Sequence, residues 1–463
     1  MTTATDHTTA AAVGNLSTFG VLSVENEPVW LAAAREAASA WVGAHGFPPQ
    51  KDEDWRYVSL EPILGTSFEP SSEPIDDPGL AVVVDEISMH LGGTRLVFVN
   101  GHYCAELSRV IGLPEGARVS NLATVLAQDA ERLRPYFSSD LEEYRDAFAA
   151  LNTALFADGV FIELPDDTTV EEPIELVFLT DTGGRHLVTS PRSLVFVGTR
   201  SHVTVVETYA GTAGNDYLTN AVTEIVLRRS AQVEHYNVQV ESEGAFHLAS
   251  LTVHQDQESR FSSHLVALGS RIARHEVRIL LEGEGAKVSL DGLYLPRGDQ
   301  HHDHPVLVEH VAPHCSSRQL YKGIADEHGH GVFNGHVVVH HGAVGTDASQ
   351  TNKNLLLCDS AEIDTRPRLE IFADDVACSH GATVGRLNDD ALFYLRSRGI
   401  AERLARGLLT YGFARELVDR LELEPLRARV NKLTAERLMV DEDDPLLFPS
   451  SSISAQELME RLQ

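Results

Sequence analysis

The sequence predicts a mainly β protein in which a β-solenoid core is flanked by two α-helical regions. The core is assigned to residues 158–387, where helical periodicity is almost absent and short β-branched runs are broken by Gly, Ser, Asn and charged residues. Short segments in this part resemble one another at a nearly constant spacing, which is typical of stacked repeats. Because one such repeat cannot bury its own apolar face, we expect each repeat to pack on the next.

The similar segments are SHVTVV, AQVEHY, SRFSSH, AKVSLD and CSSRQL, which begin at residues 201, 231, 259, 286 and 315. Their spacings are 30, 28, 27 and 29 residues, and we extend the series to AVGTDA at residue 343 and AEIDTR at residue 361. The competing interpretation is an antiparallel sandwich or jelly roll, which needs hairpin turns. Asn334-Gly335 and Asp158-Gly159 are the main two-residue hairpin signals here, too few to join so many strands.

Residues 1–157 are predicted to form an α-rich region. About the first 15 residues are rich in Thr and Ala, and we expect them to be disordered. A helix should begin at Pro28 and stop at Gly46, since proline suits a first helical turn and Gly46 precedes two prolines. Its predicted apolar stripe is Trp30, Ala34, Ala37 and Trp41. Asn100-Gly101 indicates a turn, and a later helix should place one apolar face at Leu141, Tyr144, Phe148, Leu151 and Leu155.

Residues 388–463 are predicted to be helical again. Asn388 can cap a helix whose first turn holds two aspartates, and Gly399 can end it. A longer helix should follow, with an apolar face at Leu404, Leu408, Tyr411, Leu417 and Leu421. This stretch is locally basic, with Arg396, Arg398, Arg403, Arg406 and Arg415. The basic stretch indicates either a docking surface or a solvated helix face.

Composition restricts the partners and the compartment. The chain carries 37 Lys and Arg against 68 Asp and Glu, a net charge of −31, which opposes binding to nucleic acid or anionic lipid. The expected partners are proteins or cations.

Neither a signal-peptide pattern nor a run of membrane-spanning length is present in the sequence, so we expect a cytoplasmic protein without a membrane segment. The four cysteines are too sparse for a disulfide framework and should be free thiols.

Potential metal ligands are densest in the His-rich segment, residues 301–341. In a jelly roll, its alternating histidines and carboxylates would indicate a cupin-like metal-dependent enzyme. In a solenoid they would be spread over different turns. The sequence contains no Gly-x-Ser-x-Gly elbow, no Walker-type phosphate loop and no Gly-x-Gly-x-x-Gly fingerprint, so neither nucleophilic catalysis nor nucleotide binding is expected.

The segment CSHGATVG contains a thiol and an imidazole two positions apart, Cys378 and His380. On a strand the two side chains share a face, and together they could bind a soft metal or handle sulfur. Two ligands are too few for an iron–sulfur cluster or a zinc site, which need about four. Either the missing ligands come from another chain, or the pair is an ordinary buried Cys and His.

The stretch from Tyr321 to Ile400 strongly resembles the SufB/SufD family of iron–sulfur cluster assembly scaffolds. The motifs that carry the resemblance are TDASQTNKNLLL, RPRLEIFADDV, CSHGATVG and LFYLRSRGI, with DEDWRYVSL at residue 52 and LNTALFADGVFIELPDDTTVEEPIEL at residue 151 in support. SufB members ordinarily have a Glu-His-Glu-Ala type of sequence where this chain has Cys-Ser-His-Gly-Ala, so the resemblance is to the SufD branch. It implies a right-handed parallel β-helix core between helical regions.

The resemblance also implies partners and site residues. The chain would be a non-catalytic scaffold subunit that pairs with SufB through the end of the β-helix and docks the ATPase SufC through its C-terminal helices; when isolated, it could form a homodimer. His380 and Cys378 match residues at the SufB interface, where a transient iron–sulfur cluster or iron would be held by ligands of both chains, with no cofactor tightly bound by this chain alone. The resemblance also implies which residues contribute to SufC docking, by their positions in the LFYLRSRGI motif. They are Phe393, Tyr394, Arg396, Arg398 and Gly399. Cys358 receives no role, and the purpose of the His-rich segment stays open.

Overall fold

The computed structural model of the chain describes residues 16–22, 27–71, 77–137, 147–212 and 216–438. The predicted disorder at the N-terminus, the predicted face positions Leu141 and Tyr144, and the residues after 438 lie outside these ranges. No helix in the described ranges is long and apolar enough to cross a membrane.

The N-terminal part combines helices with short strands. The helices are α1 (Val29–His45), α2 (Glu61–Leu64), α3 (Leu80–Ile87), α4 (Leu122–Leu133) and α5 (Ala147–Leu155), with 3-10 helices at Leu16–Phe19, Glu53–Trp55 and Arg134–Tyr136. The strands are β1 (Glu69–Pro70), β2 (Arg95–Val99), β3 (His102–Tyr103) and β4 (Arg118–Asn121). Strands β2 and β3 form an antiparallel hairpin. Its turn residues Asn100 and Gly101 both have positive φ, at 51° and 80°, so the Asn-Gly turn predicted there is confirmed.

Helix α1 begins and ends near the predicted residues, but its predicted apolar stripe is wrong by about one position. The buried residues are Leu31, Ala34, Arg35, Ala38 and Val42, while both tryptophans are only half-buried. Arg35 lies on this buried face and donates hydrogen bonds to the carbonyls of Thr153, Ala154 and Phe156. A guanidinium stabilises the negative end of α5 in this position, so a charged residue occupies the centre of the buried face.

The central part of the chain consists of parallel strands. They are β5 (Gly159–Leu164), β6 (Ile174–Thr180), β7 (Leu187–Thr189), β8 (Arg192–Val197), β9 (His202–Gly211), β10 (Leu218–Leu227), β11 (Gln232–Gln239), β12 (Phe246–Gln255), β13 (Arg260–Ala267), β14 (Ile272–Leu281), β15 (Lys287–Tyr294), β16 (His301–His310), β17 (Ser316–Ala325), β18 (His330–Val339), β19 (Asp347–Leu356), β20 (Glu362–Ile371) and β21 (Ala377–Arg386). From β8 onward successive strands alternate between two sheets, and the ladders from β5 to β21 are parallel. The predicted β-solenoid is confirmed, and the antiparallel alternative, with its cupin-like jelly roll, is wrong.

Sheet I contains β4, β5, β8, β10, β12, β14, β16, β18 and β20 in spatial order, with β1 and β7 beside its beginning. Sheet II contains β3, β2, β6, β9, β11, β13, β15, β17, β19 and β21. Hydrophobic side chains of both sheets meet inside the solenoid and form one core cluster that extends from Leu96 to Ala348.

Strand register confirms the first four repeat spacings. In sheet II, Val203 pairs with Val233, Val233 with Phe261, Phe261 with Val288, and Val288 with Ser317. The last two predicted repeats are wrong. Ser317 pairs with Ala348, 31 residues later, because a long connection separates β18 from β19, and the segment at residue 361 leads into β20 of the other sheet.

The interior of the solenoid also holds polar groups. The Glu241 carboxylate is buried and accepts hydrogen bonds from Thr219 Oγ1 (2.6 Å) and Gln239 Nε2 (3.0 Å). Buried imidazoles are stacked nearby, with ring centroids 4.8 Å apart for His247 and His275 and 5.4 Å apart for His275 and His304. Among the described residues, neither ring nitrogen of His304 has a hydrogen-bond partner. Such imidazoles are tolerated in the interior only while they are neutral.

The C-terminal helices are α6 (Asp389–Ser397), α7 (Glu402–Val418) and α8 (Glu424–Arg437). Asn388 caps α6 as predicted, because its side chain accepts hydrogen bonds from the backbone N–H groups of Asp390 and Ala391. Helices α7 and α8 pack their apolar residues on the outer face of sheet II. The predicted C-terminal helical region therefore rests on the solenoid along one side. The domain divisions after residues 157 and 387 stay predictions.

Acid should destabilise the fold through the buried histidines. Burial lowers the pKa of His301 and His304 to about 3 and that of His310 to about 4. Because the unfolded imidazole has a pKa of about 6.5, this stabilisation is complete above about pH 6.5 and is lost as the pH falls toward these folded-state values. We expect His304→Phe to reduce the loss of unfolding temperature on acidification, measured by thermal unfolding over a pH series. The matched control is His328→Phe at an exposed position, and an unchanged pH slope in His304→Phe would contradict the prediction.

Candidate functional site

The two strands that end the solenoid each have an open edge. Strand β20 pairs only with β18 and strand β21 only with β19 among the described strands. Side chains of β21 are largely exposed, in contrast to those of β19, which alternate between buried and half-buried. Unpaired edges of this kind are sites at which another chain can add or pack.

Cys378 and His380 lie on β21 and point toward the solenoid interior. Cys378 pairs with the buried Ala348, and His380 pairs with the buried Gln350. Each side chain therefore continues a column that is buried in the earlier turns. Cys378 is half-buried against the core and His380 is exposed. They are accessible because the stack ends at their turn, and they share one face as their spacing predicted.

The surroundings of the Cys378 thiol raise its pKa, chiefly through burial, although a hydrogen bond from the Ala348 backbone offsets part of the effect. Burial raises the pKa of this thiol, and the nearby carboxylate of Asp347 raises it further. A raised pKa lowers the fraction of reactive thiolate at neutral pH. Within the described part of the chain, Cys378 and His380 do not belong to any group of three converging metal ligands. Further ligands of a metal bound by this pair would have to come from outside the described residues.

The facing strand contributes a mainly apolar surface to the open end. By their register with β18, the inward positions of β20 are Ile363, Thr365, Pro367, Leu369 and Ile371. Leu369 packs against the core cluster, whereas Ile371 is 43% exposed. Val384 on β21 is 44% exposed. An uncovered apolar surface that surrounds a thiol and an imidazole has the composition of a protein interface.

The residues predicted for docking lie together on and just after helix α6. Only Leu392 of this helix is buried, while Phe393 is 72% exposed and Tyr394 is 46% exposed. Arg398 stacks on the Tyr394 ring at 5.1 Å and donates a hydrogen bond of 3.0 Å to its hydroxyl. Arg396 forms an ion pair with Glu402 at 3.4 Å. Gly399, with φ of 89°, supplies the left-handed residue after the helix.

Polar contacts join the helical region to the solenoid beneath it. Lys322 on β17 donates a hydrogen bond to the Phe413 carbonyl at 2.8 Å and forms an ion pair with Glu416. Arg420 pairs with Asp291 on β15 at 3.0 Å. These contacts were not predicted, because a lysine within a strand gives no indication of the helix that covers it.

The His-rich segment is distributed over several environments, as expected for a solenoid. His302, His304 and His310 are buried, whereas His328 and His341 are exposed. His330 lies beside Asp364, with 2.9 Å between His330 Nε2 and Asp364 Oδ2. The four cysteines are free, as predicted.

The geometry defines a class of protein: a β-helical protein with an uncovered end and an adjoining helix that exposes aromatic and arginine side chains. The family model for the SufBD core domain of SUF system FeS cluster assembly matches residues 178–413, and the model for the SufBD N-terminal region matches residues 22–176. The chain belongs to the SufBD family of iron–sulfur cluster assembly proteins.

Relatives in this family are similar over most of their length. An iron–sulfur cluster assembly SufBD family protein of Synechocystis is 33% identical over 411 residues, which cover 87% of this chain and 90% of the relative. The iron–sulfur cluster assembly protein SufD of Escherichia coli is 31% identical over 395 residues, which cover 85% of this chain and 90% of the relative. The chloroplastic protein ABCI7 of Arabidopsis thaliana is 28% identical, with 85% of this chain and 83% of the relative covered.

Alkylation should report the environment of Cys378. We expect iodoacetamide to modify Cys378 more slowly in the folded chain than in the urea-unfolded chain at the same mildly alkaline pH, because burial raises the thiol pKa. Peptide mass spectrometry over a time course measures the rate, and Cys378→Ser identifies the peptide. Equal rates in the two states would show that Sγ is fully solvated at the open end.

Proposed function

We propose that this protein is a SufD-type, non-catalytic scaffold subunit that pairs with SufB through the open end of its solenoid. The observation that carries the proposal is the last turn, where Cys378 and His380 continue columns whose preceding members, Ala348 and Gln350, are buried. A second chain that covers this end would bury both side chains and satisfy the open edges of β20 and β21. The isolated chain could meet the same need with a second copy of itself, as a homodimer.

The cargo of this interface would be iron or a nascent iron–sulfur cluster. An imidazole and a thiol are ligands for both, and contact with a cation would lower the pKa of the Cys378 thiol and favour its thiolate form. The chain supplies two of the roughly four ligands that a cluster needs, so binding would be transient and shared with SufB. No cofactor need be held tightly by this chain alone. Four free thiols agree with a reducing compartment, for which we propose the cytoplasm.

The helical region after Asn388 would dock the ATPase SufC. Helix α6 presents Phe393 and Tyr394 beside two arginines, and aromatic and arginine side chains are the ones that most often dominate binding energy at interfaces. ATP hydrolysis belongs to SufC in this proposal. Dimerisation of SufC would pull the docking regions of the two scaffold chains and reshape their junction, which would give access to the ligands buried there.

Substitution of His380 tests the interface site. We expect His380→Ala to slow cluster assembly by the purified complex, measured by the visible absorption of the cluster, because one of the shared ligands is lost. Since His380 is exposed in the isolated chain, the free energy of unfolding should change by no more than about 0.5 kcal/mol. His328→Ala, at another exposed histidine, is the matched control. Normal assembly rates in both His380→Ala and Cys378→Ala would instead favour a partner that only stabilises SufB.

Substitution of Phe393 tests the docking helix. We expect Phe393→Ser to weaken binding of the SufC ATPase by a factor of about 10 or more, the effect of losing an aromatic anchor at an interface. Calorimetric titration with SufC from the same host measures the affinity. Val82→Ser is the control, because Val82 is also a highly exposed apolar residue, at 63%, on a different helix, α3. Equal affinities of Phe393→Ser and the unsubstituted chain would remove α6 from the docking surface.

A further inference from the structure

A cluster of three metal-ligating side chains lies on the outer face of sheet I, on the last two strands. His330 and Glu362 are register partners at the beginning of β18 and β20, and Asp364 follows two residues later on β20. One ligand atom from each residue lies within 4.8 Å of those of the other two. His330 Nε2 and Asp364 Oδ2 are 2.9 Å apart. The three side chains can therefore approach one small ion together.

The charge environment separates this cluster from two other carboxylates on the same face, Asp303 and Glu309. Asp303 is paired with Arg274, and Glu309 is paired with Arg278 at 2.6 Å. In the described ranges of the chain, neither Glu362 nor Asp364 has an ion pair with a lysine or arginine, and the ion-pair contact found for Asp364 is with His330. Two carboxylates that face one imidazole leave negative charge uncompensated, and a cation would neutralise it.

Ring packing holds the imidazole of the cluster in place. The His301 ring packs edge-on against His330, with centroids 4.6 Å apart, and the Tyr57 ring lies edge-on at 6.4 Å. His301 Nε2 is shielded from water and has no hydrogen-bond partner among the described residues. Packing of this kind orients a ligand before the metal arrives.

The donor set determines the class of ion. One imidazole nitrogen with two carboxylates suits divalent first-row transition metals, whereas soft ions would require thiolate. The side chains of His330 and Asp364 are 22% and 28% exposed, so water can complete the coordination. We propose that His330, Glu362 and Asp364 bind one divalent transition metal ion of the class of Fe²⁺, Mn²⁺, Co²⁺ and Zn²⁺. This site is distinct from the open end, because its side chains point outward from sheet I.

Cobalt is a suitable probe, because Co²⁺ bound to nitrogen and oxygen ligands absorbs visible light. Titration of the full, untagged chain with Co²⁺, followed by absorption and calorimetry, should show one site per chain that Zn²⁺ displaces. We expect His330→Ala and Asp364→Asn each to weaken Co²⁺ binding at least about 10-fold. Thermal unfolding of each variant without metal verifies that it is folded.

The matched control is His340→Ala. His340 is also paired with a carboxylate of sheet I, Glu309 at 3.1 Å, but Glu309 already has an arginine partner. This variant should bind Co²⁺ as the unsubstituted chain does. The proposal is overturned if the unsubstituted chain binds no Co²⁺, or if His330→Ala and Asp364→Asn retain its affinity. Because no partner chain is present, the result is independent of whether SufB or SufC binds.

Discussion

The in-register stacking of parallel strands is the constraint on which the rest of this molecule depends. In both sheets each residue lies directly over its counterpart in the next turn, so an inward side chain in the middle of the stack has neighbours before and after it. A side chain is thus protected from water by turns that come about 30 residues earlier and later in the chain. The last turn lacks one of these neighbours. The same stacking that builds the core therefore leaves an exposed end, whose side chains continue the columns of the buried interior.

The outward face of the last turn contacts the N-terminal part of the chain, whereas its edge pairs with no further strand among the described residues. Glu53 in the N-terminal part reaches across to Arg368, at 3.2 Å, and also pairs with Arg366. The N-terminal part thus contacts the outward side of β20 at Arg366 and Arg368, while Glu362 on the same side stays exposed. Arg274 extends the same attachment earlier in the stack, because its guanidinium lies 4.0 Å from the centre of the Trp55 ring. The N-terminal part therefore packs against the side of the solenoid, whereas the free edges of β20 and β21 have no neighbouring strand among the described residues.

Sequence periodicity was sufficient to predict the β-solenoid and the register of four successive repeats, because the turns of the solenoid in that part of the chain differ little in length. It failed where a connection lengthened, between β18 and β19, and where a charged residue occupied a buried helical position, at Arg35. Pro305 in the central strand β16 is a similar case, since proline argues against a central strand, and the ladder to β14 is interrupted beside it. The approach of His330 to Asp364 could not be predicted, because an error of even one residue in register would turn one of the two side chains to the other face.

Helix α7 packs on β15 and β17, and the open end lies at β21 in the same sheet. Two strand spacings separate β17 from β21, or about 10 Å. The number of turns after β17 therefore sets the distance between the helical region and the end of the solenoid. Insertion or deletion of one repeat at this point would preserve the stacking rules but move the end by about 5 Å relative to the helices. The length of this short terminal stretch therefore fixes where the open end lies relative to the helices, whereas the stacking rules of the core would accept another turn.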